Sequence, residues 1–230
     1  MIDHVRDLTS VREATDRLIA EVASWDNAAL AEPSRLPGWT RGHVLAHLSR
    51  NADALVNVLQ GLPMYKDAAT RDADIERDAA RPLDAHLADL RATAGRLQEV
   101  CAEPADWDRT VELRNGITDS ASRLPFRRWV EVALHHVDLG AGYELGDLPE
   151  EFQLREIDFL ADRWSGRADV PPVTLRTPDG ADRGRTGGEE GAPVTVTGPL
   201  DALLGWLSGR GGPAAALTTE GGPLPQLPPL

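Results

Sequence analysis

Four of the six histidines in these 230 residues fall in two close pairs, His43 with His47 and His135 with His136. Glu131 stands four residues before His135 and Asp138 three after it. On a helix these three share one stripe, beside the apolar stripe Val130, Leu134 and Val137. His47 lies next to apolar Leu48 in the same way. Helical bundles build metal sites from polar side chains that project inward from facing helices. His47, Glu131 and His135 would supply two imidazoles and a carboxylate with a fourth position open, the donor set of a catalytic zinc rather than a closed structural one. On spacing alone, Glu131 and His135 equally suit a solvated i, i+4 pair, and His47 a hydrogen-bonded helix histidine. His43, one turn before His47, reads as a fourth ligand or as an exposed first-turn residue. His136 is turned about 100° from His135, so the two do not easily share one ion. His4 and His86 read as surface residues.

Few other residues suggest chemistry. Cys101 is the one cysteine, so no disulfide, CxxC pair or all-cysteine metal site can form. It occupies a core-stripe position and reads as a small buried hydrophobe. The sequence has no Gly-rich phosphate loop, no G-x-S-x-G elbow and no H-E-x-x-H. Among the arginines, Arg210 follows a short apolar segment and is flanked by Gly209, Gly211 and Gly212, a backbone that lets a ligand approach closely. Arg71, Arg77 and Arg81 are weaker anion-binding candidates.

Helical periodicity places these residues. Val5 to Trp25 marks a first helix, and Glu32 to Gly38 breaks the chain. Thr40 is a suitable N-cap for a second helix carrying Leu45, Leu48, Leu55 and Leu59. Met64 to Arg81 reads as a polar loop. A third helix starts at Pro82 and runs to Cys101, and a fourth spans about Arg123 to Leu139 before Gly140. Residues 1–165 hold 8 Gly and 7 Pro, residues 166–230 hold 13 Gly and 10 Pro, so the second part cannot sustain long helices. After Pro149 the pattern predicts a helix Glu150–Trp164, strands near 173–177, 194–197 and 214–219, a flexible loop 181–191, and a short helix 200–207. The Pro-rich end from Gly221 has the composition of a disordered tail. The expected fold is α+β: a four-helix bundle over 1–148, without strands, and a smaller α/β domain over 149–230.

Composition limits the partners. With Lys+Arg 24 against Asp+Glu 37 the net charge is −13, which disfavours phosphate backbones and anionic lipid surfaces. Charges within the first twenty residues argue against a signal peptide, and no apolar run reaches the roughly 18 residues of a membrane span. A cytoplasmic location, a monomer or small homo-oligomer, and small-molecule partners are expected, with no nucleic acid and no membrane. Lys66 is the only lysine among the 24 basic residues, a bias that suggests a GC-rich bacterial genome.

Two segments carry a family resemblance. Leu36-Pro37-Gly38-Trp39-Thr40-Arg41-Gly42-His43-Val44-Leu45-Ala46-His47-Leu48 closely resembles the second-helix signature of the mycothiol-dependent maleylpyruvate isomerase family, a group of DinB-like metal-binding bundles. Arg128-Trp129-Val130-Glu131-Val132-Ala133-Leu134-His135-His136-Val137-Asp138-Leu139-Gly140 resembles its fourth-helix signature. The stretch from Val194 through Arg210 looks like its C-terminal domain. The resemblance covers nearly the whole chain. It implies zinc on His47, Glu131 and His135, mycothiol as thiol cofactor, and Arg210 as a substrate-facing residue. Mycothiol is an actinobacterial thiol, which fits the arginine bias.

The implied chemistry is addition of a zinc-activated thiolate to the cis double bond of maleylpyruvate, rotation, and elimination to fumarylpyruvate. An arginine would bind a substrate carboxylate bidentately, and Asp138 could orient a ligand imidazole. The same scaffold also suits a mycothiol S-transferase acting on another electrophile, or a non-catalytic binding protein that keeps zinc for stability.

Overall fold

The computed structural model describes residues 3–103, 105–188, 190–211 and 214–228. The chain is α+β and divides into two compact units, Met1–Gly142 and Tyr143–Leu230.

The first unit is a bundle of α1 (His4–Val22), α2 (Arg41–Leu59), α4 (Leu83–Ala102) and α5 (Leu124–Asp138), with α3 (Ala68–Ala79) added against α2. The apolar stripes read from periodicity supply the core. Leu18, Val22, Leu45, Leu48, Leu90 and Val132 form one buried cluster; Leu55, Val58, Leu97, Cys101 and Leu124 contribute to a second. Burying each such side chain contributes about 1.5–3 kcal/mol before chain entropy is counted.

Three expectations for this unit need correction. The stretch 64–81 is not merely a loop, because α3 lies within it. Asp67 caps that helix, accepting from Thr70 N at 2.6 Å, but Ile75 and Ala79 alone bury apolar surface, too thin a stripe to register as a period. Gly42 permits the close approach, since a Cβ there would collide with the Ala79 carbonyl. Secondly, the unit contains strands: β1 (Thr110–Glu112) pairs antiparallel with β2 (Thr118–Ser120). Asn115 and Gly116 between them take φ of 62° and 72°, the left-handed geometry that makes Asn-Gly a strong hairpin signal. Thirdly, His86 is buried rather than at the surface, with Nε2 3.4 Å from Ala79 O.

The second unit places α6 (Glu150–Trp164) and α7 (Leu200–Leu207) with a four-stranded sheet of order β4-β3-β5-β6. Its strands are β3 (Val173–Arg176), β4 (Asp182–Thr186), β5 (Val194–Thr197) and β6 (Thr218–Glu220). β3 and β5 run parallel, and the outer pairings are antiparallel. β4 corrects the expected loop 181–191. As an edge strand it buries only Thr186, so it lacks the apolar alternation that reveals a strand. Leu145 and Leu148, read with the first domain, are buried within the second unit. The Pro-rich stretch is tied to the unit by Trp206 Nε1, which donates to Pro225 O at 3.0 Å. Residues 229 and 230 lie outside the described residues. Among those described, no helix is long and apolar enough to cross a membrane.

Candidate metal centre

α2 and α5 pass each other in the bundle, and three of their polar side chains meet. One ligand atom each from His47, Glu131 and His135 lies within 4.8 Å of the other two. His47 Nε2 is 2.9 Å and His135 Nε2 3.3 Å from the same oxygen, Glu131 Oε2. The imidazole rings meet edge to face with centroids 4.7 Å apart, and the Trp39 ring lies 5.5 Å from His47.

Neighbouring groups hold this geometry. His135 Nδ1 is 2.8 Å from Asp138 Oδ2, on a carboxylate that is 1% exposed. With its Nδ1 proton on Asp138, a neutral His135 turns a lone pair toward Glu131, an opposition relieved by a proton or a cation between them. Electrostatics express the same conflict. Burial opposes protonation of His135, but its hydrogen bonds to Asp138 and Glu131 outweigh burial and raise its pKa. Burial dominates at His47 and lowers its pKa despite Glu131. Burial would raise Glu131, yet hydrogen bonds from His135 and His47 hold its carboxyl well below the usual range.

The two helices are fastened at several points. Arg128, 1% exposed, donates from Nη1 to Leu48 O at 2.8 Å and Asn51 Oδ1 at 2.7 Å, tying α5 to α2. Burial pulls its guanidinium down to about 10, so it stays charged at neutral pH. Arg41 donates to Leu139 O at 2.8 Å and Gly140 O at 3.1 Å, satisfying carbonyls at the end of α5.

The other candidates fall elsewhere. His43 is outside the cluster: its Nδ1 accepts from Thr40 N at 3.1 Å, and its Nε2 is 3.1 Å from Glu76. His136 turns to Glu21, at 2.9 Å. His4 stacks on Trp107. Cys101 is buried, and burial pushes its thiol up to about 12. Arg210 belongs to the second unit, just past α7, where its backbone N donates to Gly205 O at 2.9 Å. Arg71 comes up on α3 with Nη2 3.3 Å from His47 Nδ1. Tyr65, Asn51 and Arg114 belong to no sequence motif, yet with Arg71 they line a cavity beside His47 and Glu131. Only Asn115-Gly116, next to Arg114, offered a signal.

Comparison with known proteins bears on this geometry. A family model described as the mycothiol maleylpyruvate isomerase N-terminal domain matches residues 11–140. That of the MDMPI C-terminal domain matches residues 147–229. No curated protein matches the sequence significantly. The crystal structure of a mycothiol-dependent maleylpyruvate isomerase is similar, with TM-score 0.89 and 28% identity over 99% of this chain and 97% of that one. A variant of the mycothiol-dependent maleylpyruvate isomerase with one histidine replaced by alanine gives TM-score 0.88 at 27% identity, again over 99% and 97%. The N-terminal match alone spans more than half of the chain, and the C-terminal match follows it in order: the chain belongs to the mycothiol maleylpyruvate isomerase family.

Proposed function

We propose that this chain is a zinc- and mycothiol-dependent enzyme that converts the cis double bond of maleylpyruvate to the trans bond of fumarylpyruvate. The observation that carries the reading is the convergence of His47, Glu131 and His135 within 4.8 Å in a chain of this family. Two imidazoles and a carboxylate, one imidazole backed by Asp138, fit zinc in donor type and in surrounding support.

In this reading His47 and His135 hold the ion from two helices, and Glu131 adds the charge that offsets it. Zinc there supplies a Lewis acid that keeps a thiol in its nucleophilic, deprotonated form. Asp138 keeps the His135 proton on Nδ1, which leaves Nε2 as the donor. The chain need supply no nucleophile of its own in this reading, and the Cys101 thiol, pushed up to about 12 by burial, stays protonated at neutral pH. Arg210 is the proposed carboxylate-binding group of the second unit, where a planar guanidinium suits a substrate anion.

The test is an assay of zinc-loaded protein with mycothiol, against maleylpyruvate and against a general electrophile. Thiol-dependent formation of fumarylpyruvate is expected. Consumption of the electrophile without isomerisation would make the protein an S-transferase, and no thiol-dependent turnover would make it a binding protein.

A further inference from the structure

We infer that the cavity beside His47 and Glu131 is an anion site for one carboxylate of a small dicarboxylate, with Arg114 as its principal donor. This deepens the isomerase reading and rests on it for the identity of the substrate.

The cavity is small, about 170 Å³, below the usual range for drug-sized ligands. Three arginines, Arg71, Arg114 and Arg127, line it against one acidic residue, Glu131. In a chain of net charge −13 such a concentration of positive charge is against the general trend, and it creates a local field that attracts anions. The three arginines are not equivalent. Arg71 pairs with Asp72 at 2.6 Å and Arg127 with Asp119 at 2.6 Å. The Arg114 guanidinium has no hydrogen bond or ion pair among the described residues. Its full fork of donors is therefore available to a carboxylate.

A second observation lies at the same hairpin tip. Ile117 is one of three large apolar side chains strongly exposed among the described residues, at 44%, and it lines this cavity. An apolar wall beside an open guanidinium matches a carboxylate on a short carbon skeleton better than an inorganic anion. Tyr65 completes the lining. Its ring is partly buried, with the central guanidinium carbon of Arg71 5.8 Å from the ring centre. The left-handed Asn115-Gly116 turn follows Arg114 directly and places it at the hairpin tip.

The experiment is calorimetric titration of the purified full chain, its metal content measured, with maleate and separately with inorganic phosphate. Maleate is expected to bind, and phosphate to bind much more weakly. Arg114→Ala should weaken maleate by about tenfold or more, because a charged hydrogen bond is lost. Arg114→Lys should recover that only in part, since an ammonium lacks the fork. Arg167→Ala, on the exposed surface of the second unit, should change nothing, and thermal unfolding checks that each variant is folded. No maleate binding by the unaltered protein, equal affinity for phosphate, or an unchanged affinity in Arg114→Ala would each overturn the site. Kinetics separate this from the isomerase reading. If maleylpyruvate turns over and Arg114→Ala leaves KM unchanged, the anion site fails alone. If nothing turns over while maleate binding still depends on Arg114, the isomerase reading fails and the site stands.

Discussion

His47, Glu131 and His135 stand on helices of 19 and 15 residues whose neighbouring positions fill the core. Arg114 stands beside an Asn-Gly turn between two strands of three residues each, with exposed side chains on both sides. Both regions border one cavity. A metal ligand must be held within a fraction of an ångström, which long packed helices and a buried Arg128 clamp provide. A group that meets a substrate gains from a place at the tip of a short element, here one held at its base by buried Val111 and Leu113 and by the Asp119–Arg127 pair, because tip side chains can change without disturbing the core. The proposed metal ligands thus sit on long packed helices, and the proposed selectivity on a short hairpin.

The sharpest way to break this contrast is to remove a ligand. His47→Ala or Glu131→Ala is expected to abolish stoichiometric zinc, read by elemental analysis, and with it thiol-dependent turnover. Full zinc content in either variant would take that residue out of the site. The next largest effect is expected at Arg210, also on a short, glycine-flanked segment. Arg210→Ala should cost on the order of 10²-fold in kcat/KM with zinc unchanged. Arg210→Lys should rescue little, because the planar fork is lost. Near-normal kcat/KM in both would leave Arg210 without a catalytic role.

A smaller effect is expected from pH. His135 has its pKa raised above the ordinary value by Asp138 and Glu131, against the opposing effect of burial. Its proton therefore stabilises the metal-free fold below about pH 6.5. That contribution is lost as pH rises through the raised value. Zinc must displace this proton, so zinc affinity should rise with pH across that window. Competition with a chromophoric chelator at pH 6 and pH 8 measures it, and an equal affinity at both would contradict the assignment of His135. The smallest effect belongs to the hairpin. Gly116 has φ 72° with no atom within 4 Å of an added Cβ, so Gly116→Ala should cost only the left-handed strain, about 1 kcal/mol. Urea unfolding reads this. A loss of several kcal/mol would show the hairpin to be part of the rigid core after all.

The helices that carry the cluster were legible because α2 and α5 repeat apolar residues with the helical period, and because Glu131, His135 and Asp138 share a stripe. α3, β1 with β2, and β4 were not. Each buries too few apolar side chains to show a period, and Ile75, Val111 and Thr186 are single points rather than patterns. The Asn115-Gly116 pair was the one overlooked signal of specific kind, since its turn geometry is a local property of those two residues.

Local order along the chain determined which residues can form long helices, which face of each is apolar, and that a carboxylate and an imidazole lie one turn apart on α5. Those are short-range facts, fixed by backbone geometry and side-chain type. Tertiary structure alone decided that Nε2 of His47 meets the oxygen that His135 also approaches, that His43 is spent on a helix cap and Glu76, and that Arg71 and Arg114 converge on one cavity. Residues 84 positions apart meet only because two helices pack in one register. That register is set by the whole core, not by any segment of it.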